Sequence, residues 1–70
     1  MSAKFIKQDN QWLVVIVAES SGTKTPEAGD IVGVKLSSGG KRNVVITDII
    51  ETVGVPETYG FRTVATFDNH

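Results

Sequence analysis

Seven consecutive apolar residues, Trp12-Leu13-Val14-Val15-Ile16-Val17-Ala18, constrain this chain more than any other feature. An amphipathic helix would break such a run with polar residues on its solvent face, and a half-buried strand would break it at every second position. A membrane helix needs roughly 20 apolar residues, so the run does not span a bilayer. A strand covered on both faces satisfies the pattern, which places it at the centre of a sheet. The rest of the composition agrees. Val, Ile and Thr supply 23 of 70 residues, against two Leu and four Ala, the usual helix fillers. β-Branched side chains are stiff at χ1 and pack well on a pleated surface, so the chain reads as all-β.

Four further strands are expected. Lys4-Phe5-Ile6-Lys7 precedes the apolar run, and Asp9-Asn10 between them suits a tight hairpin turn. Glu19 to Asp30 is a polar loop of about a dozen residues, long enough to be functional or mobile. Ile31 to Leu36 alternates, with Val32, Val34 and Leu36 on one face and Gly33 and Lys35 on the other. Ser37-Ser38-Gly39-Gly40 then turns the chain, using glycine at positive φ. In the fourth segment Val44 and Ile46 alternate but Ile49 and Ile50 break the parity. A helical stripe through Val45, Ile46, Ile49, Ile50 and Val53 is the competing reading. The β-branched density and the feeding hairpin favour a strand, with a bulge near Thr47-Asp48 restoring the parity. Gly54 to Thr58 is a loop. Tyr59 to Phe67 is the last strand, with Phe61, Thr63, Ala65 and Phe67 on one face and Arg62, Val64 and Thr66 on the other. Asp68-Asn69-His70 is a frayed polar tail.

Five short strands in meander order make residues 1–70 a single small domain: a five-stranded SH3-like barrel or rolled antiparallel sheet, with an OB-like barrel as second choice. Bulges and internal glycines such as Gly33 would supply the bending. Such a chain buries only about 60% of its unfolded surface. Without cysteine it has no disulfide framework, thiolate zinc site or cysteine nucleophile. Either the barrel closes tightly round the apolar run or a second copy covers it. The N-terminus lacks the apolar stretch of a secretory signal, so a cytoplasmic location without membrane attachment is expected.

Catalytic chemistry is not expected. The only histidine is His70, and the carboxylates are scattered singly. Asp48 and Glu51 come nearest to a pair, but a spacing of three on a strand sets them on opposite faces. Gly22-Thr23-Lys24-Thr25 is similar to the end of a phosphate-binding loop but lacks the Gly-Lys adjacency and the upstream glycine. No catalytic residue, metal ligand or cofactor is assigned.

Binding is the better prospect. Residues 1–42 carry six cations and four carboxylates, a net of +2; residues 43–70 carry one against four, a net of −3. Lys35, Lys41 and Arg42 would gather around the Gly-Gly hairpin, with Tyr59 and Arg62 of the last strand beside them, and Lys24 in the long loop. Cations beside a ring are how small β-barrels hold single-stranded nucleic acid. The overall charge of −1 and a pI of about 5.6 weigh against a dedicated nucleic-acid binder. Phe5, Trp12, Phe61 and Phe67 are assigned to the core.

Trp12-Leu13-Val14-Val15, then Pro26-Glu27-Ala28-Gly29-Asp30-Ile31-Val32-Gly33-Val34, then Ser38-Gly39-Gly40-Lys41 and Val44-Val45-Ile46 form a larger pattern. Over about residues 11–53 it resembles small β modules of bacteriophage proteins, which occur alone or appended to DNA-metabolism proteins. The longer, Ser/Thr-rich loop at 19–25 departs from that pattern. The resemblance implies an accessory protein, plausibly viral and so in the host cytoplasm, that works by contact. Three functions are in contention: a module that binds and modulates another protein, which is the leading expectation; a single-stranded nucleic-acid-binding barrel; and a small-molecule-binding oligomer with pockets between subunits.

Overall fold

The computed structural model describes residues 2–18, 24–55 and 60–70. They form five strands, β1 (Ser2–Gln8), β2 (Gln11–Ala18), β3 (Ile31–Lys35), β4 (Lys41–Val55) and β5 (Gly60–Asn69), with no helix among them. All pairings are antiparallel. The sheet curls into a half-barrel, so the all-β rolled architecture expected from β-branched content is the one found. None of the described residues forms a helix long and apolar enough to cross a membrane.

The strand order is β1-β2-β5-β4-β3, which corrects the expected meander. The β1–β2 hairpin and the β3–β4–β5 meander are each local, but β5 docks beside β2 and becomes the middle strand. β2 is still an interior strand, flanked by β1 and β5. Its apolar run faces two ways. Val14, Ile16 and Ala18 join Val32, Val34, Val44, Ile46, Phe61 and Ala65 in the main core, with Ala3, Phe5, Ile49 and Phe67 packed against it. Leu13 and Val15 join Val64 in a second cluster on the opposite face, flanked by Ile6 and Val17. The chain thus covers both faces of residues 13–16 by itself, without a second copy. Fully burying each such side chain contributes about 1.5–3 kcal/mol relative to leaving it in water.

Two hairpin turns follow from local chemistry. Asp9 and Asn10 take φ of 51° and 63°, the paired left-handed backbone of a two-residue turn whose twist matches that of the strands. At the β3–β4 turn, Leu36 N donates to Gly40 O (2.8 Å) and Gly39 N to Leu36 O (3.0 Å). Only Gly39 takes positive φ (97°), so Ser37-Ser38-Gly39 is a three-residue turn ending in a left-handed glycine. The segment entering β3 is held by Asp30, whose Oδ2 accepts from Glu27 N at 2.9 Å and whose N–H donates to Glu27 O at 3.1 Å.

β4 is a strand throughout its 15 residues, and the helical stripe is not formed. The expected bulge lies between Ile46 and Asp48; a second lies between Ile49 and Glu51. At the first, the Thr47 and Thr66 hydroxyls lie 2.6 Å apart, and Thr66 Oγ1 donates to Asp48 O at 3.4 Å. The second bulge makes Ile50 the extra residue, which explains its 52% exposure. It also reverses the parity read for the carboxylates. Asp48 pairs with Thr66 and Glu51 with Val64, and those partners share one face of β5. Asp48 and Glu51 therefore stand on the same outer face. The expected frayed tail is corrected as well: Asp68 and Asn69 pair with Val45 and Val44, and His70 N donates to Asn43 O at 3.3 Å.

Candidate functional site

Rolling a five-stranded sheet leaves two edges facing each other. Here they are β1 and β3, whose Cα atoms come within 8 Å although no ladder joins them. Laddered strands lie roughly 4.8 Å apart, so side chains rather than backbone hydrogen bonds close this seam. Over it runs a groove of about 1150 Å³, bordered by residues 2–5 of β1 on one side and by Gly33, Lys35 and the turn through Lys41 on the other. Its charged lining residues are Lys4, Lys35 and Lys41; among the described residues no carboxylate lines it.

The register explains how three lysines reach one groove. Lys35 and Lys41 are directly opposite each other and so share the outer face of the β3–β4 hairpin. Lys41 starts on β4, one strand back from the seam. It reaches across β3 because the residue beneath it is Gly33: a Cβ there would collide with Lys41 Cε and lie 3.0 Å from its Nζ. Gly33 thus makes room for a lysine as well as easing the bend of a strand. Lys4 comes from the facing edge, β1.

An aromatic cleft continues the groove. About 410 Å³ in volume, it is lined by Phe5, Trp12, Leu36, Arg42, Phe67, Asp68 and Asn69, and shares Phe5, Trp12 and Leu36 with the groove. The Phe5 and Phe67 rings pack with centroids 4.9 Å apart at 38°. Arg42, opposite Val34, turns to the inner face and places its guanidinium 5.6 Å from the Phe5 centroid. Trp12 pairs with Lys7 across the β1–β2 hairpin, and the Lys7 ammonium sits 5.9 Å from the indole centroid. Such contacts fix ring orientation and contribute about 0.5–1 kcal/mol at exposed sites.

Of the expected binding residues, the fold brings together Lys35, Lys41 and Arg42, although Arg42 faces inward where the two lysines face out. Arg62 is not beside them. It pairs with Val17 and Val53, seven residues along β5 from Asn69, or about 23 Å at strand rise. Lys24 lies in the segment before β3, at the opposite end of that strand from Lys35, and meets Glu27 at 4.0 Å. Tyr59 lies outside the described residues. Trp12, assigned to the core from its place in the apolar run, is 57% exposed. Lys4, Lys7, Phe5 and Phe67 complete the site and were missed. The signal that would have found Trp12 is its position two residues after Asn10, on the second rung from the hairpin turn.

Four of the seven cations line the groove and cleft, Lys4, Lys35 and Lys41 in the one and Arg42 in the other, and Lys7 sits over Trp12. Asp48 and Glu51 stand on the outer side of β4–β5 and line neither, while Asp68 lines the cleft. Among the described residues no three His, Asp or Glu side chains cluster as a metal site would require. The site offers ammonium groups along an open channel and aromatic faces at its end. No protein-family model matches the chain, and no curated protein or solved structure does. The functional reading rests on this geometry.

Proposed function

We propose that this protein is a non-enzymatic binding module whose working surface is the lysine-bordered groove between β1 and the β3–β4 hairpin, and that its partner is an extended anionic chain. One observation carries the reading: a molecule of net charge −1 gathers three lysines and, among the described residues, no carboxylate along one groove. Local potential, not net charge, steers an anionic partner, because charges more than roughly 8 Å away are largely screened at physiological salt. An open groove rather than a deep pocket fits an extended chain better than a small metabolite.

Retention on an immobilised polyanion such as heparin at pH 7 and low salt tests the proposal. A uniformly charged protein with a pI of about 5.6 would flow through. The wild type is expected to be retained and to elute with added salt, the double variant Lys35→Glu/Lys41→Glu to lose retention, and Asp48→Asn/Glu51→Gln to elute at the same salt or slightly higher. Equal retention of the wild type and the lysine variant would overturn it.

A further inference from the structure

We infer that the anionic chain taken by the groove is single-stranded nucleic acid, with Trp12 as the platform on which a base stacks. This deepens the anionic-groove reading and rests on it. Two observations go beyond charge. First, a large aromatic ring stands 57% exposed at the junction of the lysine groove and the aromatic cleft, where a soluble chain gains nothing for its own core. Second, the Lys7 ammonium lies 5.9 Å from the indole centroid and the Arg42 guanidinium 5.6 Å from that of Phe5, so each ring has beside it a cation that can also meet phosphate.

The geometry divides the labour that single-strand binding requires. Lys4 stands on one bank, Lys35 and Lys41 on the other, where a backbone of phosphates would run; a base turned to the end of the channel meets Trp12. Stacking tolerates any base because every base presents a π-face. The groove is bordered by four residues of β1, Ser2 to Phe5, which gives the channel a length of about 13 Å, a short site at or below the low end of the roughly 4–16 nucleotides that small barrels cover. A duplex would offer phosphates but hide the faces of its bases, so the Trp12 contact selects single strands. An acidic peptide would satisfy the lysines and leave the ring unused.

Trp12 is the chain's only tryptophan, so its fluorescence reports on this position alone. Titration of the full-length protein with an oligo-dT single strand is expected to quench it. The log–log dependence of affinity on salt should have a slope of about −2, from three lysine–phosphate contacts on a single strand. Lys41→Gln should bring that slope closer to zero by about 0.7. With a fluorescently labelled oligo-dT read by anisotropy, Trp12→Ala should weaken binding roughly ten- to hundredfold and Trp12→Phe much less. The exposed position of Trp12 leaves the fold intact in these variants, which far-UV circular dichroism checks. Poly-glutamate competing as well as oligo-dT, with Trp12→Ala unchanged, would overturn the nucleic-acid assignment while leaving the anionic groove standing. Equal affinity for duplex and single strand would overturn the stacking role. Binding of neither oligo-dT nor poly-glutamate would overturn both readings.

Discussion

At the scale of single residues, the two threonines that face each other across β4 and β5 show how burial decides the sign of a substitution. Thr63 is fully buried, and its hydroxyl meets Thr52 Oγ1 at 3.0 Å; Thr52 itself is exposed. Replacing Thr52 by Val leaves the Thr63 hydroxyl in the core without a partner, at a cost of about 1–3 kcal/mol. Replacing Thr63 by Val removes the buried polar group, while Thr52 turns to water, so that change should fall within roughly 1 kcal/mol of neutral. Urea denaturation of the two variants should therefore give clearly separated midpoints; equal losses would mean that the pair is not the sole partner of the Thr63 hydroxyl. Trp12 makes the complementary point. In sequence it is continuous with six apolar neighbours, and nothing in residue type separates it from them. Its exposure is decided by the register, which seats it opposite Lys7 beside the hairpin turn.

At the scale of elements, local signals were legible and pairings between distant segments were not. Asp9-Asn10 announced its turn because few residue pairs adopt left-handed backbone twice in succession, and the structure has φ of 51° and 63° there. Asn10→Gly should thus raise stability by up to about 1 kcal/mol, whereas a β-branched Asn10→Val should cost about 1–2 kcal/mol; thermal melts that fail to separate the two would contradict the turn. The first β4 bulge was readable from the parity break between Ile46 and Ile49. The second was not, because an Ile49-Ile50-Glu51 step with its extra residue exposed resembles ordinary alternation slipping by one. That unread bulge carried Asp48 and Glu51 onto one face. The docking of β5 beside β2 was equally hidden, since Val15↔Val64 and Ile16↔Thr63 join residues almost fifty apart whose patterns fit several partners. For the site, Lys35, Lys41 and Arg42 were legible as a hairpin cluster, while Lys4 and Trp12 enter only when the sheet curls β1 round to β3.

At the scale of the whole molecule, the groove is maintained against the chain's own stability. Lys35 and Lys41 stand directly opposite each other, an arrangement of like charges that destabilises a β pair, and among the described residues no carboxylate lines the groove to relieve it. Stability alone would favour an acid at position 35, which would turn the repulsion into an attraction across the same rung. Lys35→Glu should therefore raise Tm by roughly 2–4 °C at low ionic strength, and the gain should shrink at 0.5 M salt as the pair is screened. The same substitution should weaken retention on a polyanion, since it places a carboxylate on the channel. Opposite movements of stability and binding are what a functional cost predicts. If Lys35→Glu lowers Tm, or raises it while binding holds, the lysine pair is not a binding device kept at the expense of the fold.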